Sequence, residues 1–93
     1  MNAAPIIRQV TIINERGLHA RASAKFVKQV EAFNAEVTVI KDDMTVPGGS
    51  IMSLLMLAAG PGSTLTIQAT GAQAQAAVDA LVILVEDRFG EEQ

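Results

Sequence analysis

Gly17-Leu18-His19-Ala20-Arg21 holds the chain's one histidine, at the point where an apolar strand pattern stops and a helical pattern begins. An imidazole, with an unperturbed pKa of about 6.5, offers a largely neutral ring nitrogen near pH 7 and can act as a nucleophile. A helix start leaves backbone N–H groups without intrahelical partners and carries about half a unit of positive charge, and Arg21 adds a guanidinium two residues on. All of these favour an anion seated on the ring, a phosphate above all. A lone histidine is often structural or merely exposed; the glycine before it and the arginine after it favour the anion site. Hydrolysis lacks its machinery, because a triad needs a base oriented by an acid and the local sequence offers only Glu15. What remains is a histidine that accepts a group and passes it on, the chemistry of a carrier and not of a stand-alone enzyme.

The elements that must position this histidine follow from hydrophobic periodicity. Residues 6–13, Ile-Ile-Arg-Gln-Val-Thr-Ile-Ile, are rich in β-branched side chains, with Val10 and Ile12 on one face, and predict a strand. Asn14-Glu15-Arg16-Gly17 breaks it. In residues 20–33, Phe26, Val27, Val30 and Phe33 recur at spacings of three and four, which predicts an amphipathic helix ending at Asn34. Residues 36–41 alternate again, and Asp42-Asp43 turns the chain into Met44-Thr45-Val46, a hairpin closed by Pro47-Gly48-Gly49. Ser50 stands before the apolar run 51–59 as a favoured N-cap of a short helix. Residues 63–69 alternate as a last strand. Ala74, Ala77, Val78, Leu81, Leu84 and Val85 then follow the helical period to about Phe89, and residues 90–93 read as a frayed tail. The order βαββαβα implies an α+β open-faced sandwich, with helices on one face of a four-stranded antiparallel sheet.

Bulk properties narrow the function classes. The 93 residues suffice for one domain, 1–93, with a short N-terminal extension over residues 1–5, and 49% hydrophobic against 18% charged residues builds a core without metals or disulfides. With no cysteine and one histidine, neither a thiolate site nor a carboxylate cluster supports a metal, and no cofactor is expected. No charged region leads into a long apolar stretch, so the expectation is a cytoplasmic protein with no membrane insertion. A formal charge of −3 and the lack of Trp and Tyr argue against nucleic acid, leaving protein or small-molecule partners.

Ile51, Met52, Leu54, Leu55 and Met56 are too many apolar residues for a short helix to bury on one side. Leu54 and Leu57 fit the core; Ile51, Met52 and Leu55, with Phe26 from the histidine helix, fit an outward surface of flexible side chains that meets several unlike partners. Val82 and Ile83 widen the stripe of the last helix, as extra core or as a dimer contact.

Gly-Leu-His-Ala-Arg, then Gly-Ser-Ile-Met-Ser-Leu-Leu over residues 49–55, then Pro-Gly-Ser-Thr-Leu-Thr-Ile over residues 61–67 and a Gly-Ala helix start resemble HPr. That family comprises the histidine-containing phosphocarriers of the bacterial phosphoenolpyruvate-dependent phosphotransferase system, and the resemblance covers nearly the whole chain. It implies that His19 accepts a phosphoryl group at Nδ1 from enzyme I and donates it to an EIIA-type protein, with Arg21 stabilising the phosphate. It implies too that Ser50 is a target of HPr kinase/phosphorylase, beside its plain role as a cap, and that the helix after Ser50 docks the partners. Ala22-Ser23 stands where the family commonly has Pro-Ala, and a proline in a first turn is preorganising, so the departure bears on how rigidly Arg21 is placed. Two other classes compete. An HPr-like regulatory binding module would work through Ser50 and the apolar patch without His19, and a small-ligand domain would need a polar pocket that the sequence does not line.

Overall fold

The computed structural model describes residues 4–93. In chain order the elements are β1 (Ile6–Thr11), α1 (Ala20–Glu31), β2 (Glu36–Lys41), β3 (Met44–Pro47), α2 (Ile51–Met56), β4 (Thr64–Thr70) and α3 (Ala74–Glu86). The strands form one sheet in the order β1-β4-β2-β3, antiparallel throughout. This is the α+β open-faced sandwich that the periodicity implied. Of the extension expected over residues 1–5, only Ala4 and Pro5 lie within the described residues.

Register explains why one face of the sheet is the core. Val10 lies opposite Leu65 and Val39 opposite Ile67, all four buried, while the intervening Thr66 and Gln68 stay partly open on the other face. Lys41 pairs with Met44, so Asp42-Asp43 is a two-residue connection, and Asp42 takes a left-handed φ of 54° that a short acidic side chain tolerates.

The helices bury most of the stripes their spacing marked, Phe26, Val27 and Val30 of α1 and Ala74, Ala77, Val78, Leu81 and Val85 of α3, while Phe33 and Leu84 are only partly buried and Ala22 and Val82 join the core. Phe26 is therefore corrected. At 0% exposure it is core and cannot meet a partner, because it falls in the same stripe as Val27 and Val30 facing the sheet. A buried phenylalanine of this kind contributes about 1.5–3 kcal/mol to folding. Val82 is core as well, whereas Ile83 points outward at 65% exposure.

Several boundaries differ from the periodicity: β1 stops at Thr11, short of residue 13, and α2 at Met56, short of residue 59. Helix α1 stops at Glu31, short of Asn34, because Ala32 and Phe33 close onto the carbonyls of Gln29 and Val30 and tighten the last turn. Helix α3 stops at Glu86, and Arg88–Gly90 form a 3-10 turn in which Arg88 and Phe89 take φ of 55° and 54°. Phe89 is nonetheless core, at 0% exposure, four positions beyond the buried Val85. Among the described residues, no helix is long and apolar enough to cross a membrane.

Candidate functional site

The loop between β1 and α1 is built on Asn14, which is fully buried. Its Nδ2 donates to the carbonyl of Gly17 at 2.8 Å, and the Gly17 N–H donates back to the carbonyl of Asn14 at 3.1 Å, closing a tight loop. Asn14 Oδ1 is buried with no hydrogen-bond partner among the described residues. Gly17 is required twice over. Its φ is +66°, and a Cβ there would lie 2.5 Å from the carbonyl oxygen of Ala59. The close approach is thus to the chain following α2, to which the Leu18 N–H also donates, at 2.8 Å onto Ala59 O.

His19 is the N-cap of α1, in extended backbone with φ −77° and ψ −178°, and its ring makes no capping bond to its own helix. Ser23 N–H donates to His19 O at 2.8 Å as the first helical bond, and the buried Ser23 hydroxyl donates to Leu18 O at 3.3 Å. The tether that a proline would provide by stiffness is therefore supplied in part by a side-chain bond. Arg21 is exposed and enters no ion pair among the described residues. Its side chain is open to an incoming anion beside the free N–H groups of the first helical turn.

The acid facing the histidine is Glu91. Its Oε2 lies 2.5 Å from His19 Nε2, and its Oε1 accepts from Asn14 Nδ2 at 3.1 Å. A carboxylate only accepts, so Nε2 carries the hydrogen, and in the neutral ring the lone pair then resides on Nδ1. The hydrogen bond from His19 holds the Glu91 carboxyl below the usual carboxylate range, helped by Asn14 and by the charges of His19 and Arg16, while burial opposes the shift.

One expectation, the frayed tail, is corrected here. Glu15, the only acid that local sequence offered, is exposed and contributes its backbone N–H to Gln93 O at 3.0 Å. The tail over residues 90–93 is not frayed, because Glu91 and Gln93 both bond to the loop that precedes His19. Glu91 and Asn14 went unread because the pair Glu91–His19 spans 72 positions and a Gly-Glu-Glu-Gln terminus has the composition of a solvated end. The one available signal was Phe89, a large apolar residue just before that terminus.

Ser50 caps α2 as its position implied: in extended backbone, its Oγ accepts from the Ser53 N–H at 3.2 Å. Leu54 and Leu57 are core at 0% and 1% exposure. Ile51 and Met52 are exposed, Leu55 is half-buried, and Met56, which spacing did not single out, is exposed with them. Helices α1 and α2 pack together, so this apolar patch lies on the layer that carries His19.

Comparison with known proteins finds relatives over nearly the whole chain. A family described as the PTS HPr component phosphorylation site matches residues 6–87. The phosphocarrier protein HPr of Cupriavidus necator is 48% identical over 84 residues, covering 90% of this chain and 94% of that protein. The phosphocarrier protein NPr of Shewanella violacea is 43% identical over 84 residues, covering 90% and 92%. A crystal structure of HPr from Thermoanaerobacter tengcongensis superposes with a TM-score of 0.91 at 36% identity, covering 95% of this chain and 99% of that one.

Proposed function

The chain belongs to the HPr family of phosphotransferase-system phosphocarriers, and from that premise we propose that His19 is the residue that carries the phosphoryl group, on Nδ1. One observation bears most of the weight. Glu91 occupies Nε2 at 2.5 Å, which leaves Nδ1 as the nucleophilic nitrogen of a ring standing at the N-terminus of α1.

The phosphoryl group passes from enzyme I. The Nδ1 lone pair forms the N–P bond as the donor's bond to phosphorus breaks and the donor atom leaves with that pair. The three phosphate oxygens then meet the positive end of α1 and the guanidinium of Arg21. Holding must stay moderate, since a ground state stabilised as much as the transition state gains nothing in rate. An EIIA-type protein takes the group by the reverse displacement. Ile51, Met52 and Leu55 form the docking surface, with flexible aliphatic and thioether groups suited to partners of different shape. Ser50 is the regulatory site for HPr kinase/phosphorylase. A phosphate there sits at a helix start, where its charge is tolerated, and the added charge opposes docking of an acidic partner face. The working compartment under this reading is the cytoplasm.

The experiment is phosphorylation by phosphoenolpyruvate and enzyme I, with the label mapped by mass spectrometry. An acid-labile phosphate on His19, absent from His19→Ala, is the expected result.

A further inference from the structure

We infer that Glu91 is a positioning residue for phosphoryl transfer at His19, and that residues 90–93 are an arm of the site; this rests on the reading of His19 as the acceptor. Three observations build the arm. The chain after α3 runs through three consecutive left-handed residues, Arg88, Phe89 and Gly90, of which only the last is a glycine. A non-glycine residue holds that conformation when its surroundings over-determine it, and here they do: Phe89 is 0% exposed and its carbonyl accepts from Lys25 Nζ at 2.6 Å. Beyond the turn, Gln93 O accepts from Glu15 N–H, so the segment carrying Glu91 is held on both sides.

Glu91 is held as closely as the ring it serves. One carboxylate oxygen faces His19 Nε2 and the other takes Asn14 Nδ2, the same amide that closes the loop before the histidine. A neutral imidazole can place its hydrogen on either nitrogen, and a carboxylate at Nε2 selects the form with Nδ1 free. The same contact acts once the group has transferred. With Nδ1 bonded to phosphorus and Nε2 retaining its hydrogen the ring is cationic, no proton has to leave, and the facing carboxylate stabilises that charge. When the group moves on, the N–P bonding pair returns to Nδ1 and the ring is neutral again.

The test is the 15N spectrum of the His19 ring in the full, unphosphorylated chain, with phosphoryl acceptance from phospho-enzyme I measured in parallel. Wild type should show Nε2 protonated and Nδ1 bare in the neutral ring. Glu91→Gln is isosteric but offers one oxygen to two donors, so it should raise the share of the Nδ1-protonated form by roughly tenfold, the size of one charge-assisted hydrogen bond. It should slow acceptance at saturating donor by a similar factor and leave the KM for the donor nearly unchanged. Glu91→Ala should do the same, and the exposed neighbour Glu92→Gln should change neither quantity. Ring signals and rates of Glu91→Gln equal to wild type, or a wild-type ring protonated on Nδ1, overturn the inference. The carrier reading fails separately, if wild type takes no label on His19 while the ring signals still respond to position 91.

Discussion

Lys25 of α1 donates its ammonium to the carbonyl of Phe89 at 2.6 Å, so the helix that His19 heads also grips the turn that aims Glu91 back at it. The two ends of the chain's functional segment are coupled through one side chain. Lys25→Met keeps the aliphatic stem and removes the donor. The expected result is faster hydrogen exchange at the Glu15 amide, whose partner is Gln93 O, with little change in global stability. Unchanged exchange at Glu15 would mean that the Lys25 bond does not help to hold the tail.

The Glu91 carboxyl should titrate below its ordinary value of 4.5, because the hydrogen bond from His19, then Asn14, and the charges of His19 and Arg16 favour the ionised form. A depressed folded-state pKa contributes stability that is fully present above 4.5 and is lost as pH falls through the lower, folded value. Acidification below 4.5 should therefore release the tail before it threatens the core. Carboxyl 13C titration checks this: a midpoint below 4.5 that moves back up in His19→Ala is expected, and a midpoint at or above 4.5 in wild type contradicts it.

Phe26 and Met52 should separate folding from docking. Phe26→Ala empties a fully buried site and should lower stability by about 3–5 kcal/mol in urea unfolding. Met52 is 71% exposed, so Met52→Ser should stay within about 0.5 kcal/mol of wild type and instead weaken binding to enzyme I in calorimetry. Equal stability losses in the two variants would place Met52 in the core.

Ser50→Ala removes the oxygen that accepts from Ser53 N–H and should lower unfolding stability by about 1 kcal/mol. It should also abolish an acid-stable phosphate formed with ATP and HPr kinase. An acid-stable phosphate elsewhere, or none on wild type, removes the regulatory assignment and leaves the cap.

How much of this was legible in sequence depends on how local each signal is. The alternations at Val37 and Val39 and at Leu65 and Ile67, and the three-and-four spacing around Phe26, are local patterns, and the burial of those residues follows them. The placement of His19 and Ser50 at helix starts was legible because strand-to-helix junctions and caps are read over a few residues. Phe26 was misassigned to the surface because helical period marks a stripe without saying which neighbour covers it. Asn14 and Glu91 were missed for a stronger reason. Asn14 has the composition of a turn and Glu91 that of a loose end, and only the left-handed turn at Arg88 and Phe89, far along the chain, brings them together.

The most direct test is the site of phosphorylation itself. The full chain is incubated with phosphoenolpyruvate and enzyme I, and the product is examined by 31P and 15N resonance and by mapping of the labelled peptide. The account expects one acid-labile phosphate on His19, bonded to Nδ1, passed to an EIIA-type acceptor and absent from His19→Ala. A phosphate on Nε2, a label that survives His19→Ala, or no label at all would contradict it, the last outcome leaving a binding module that works through α2.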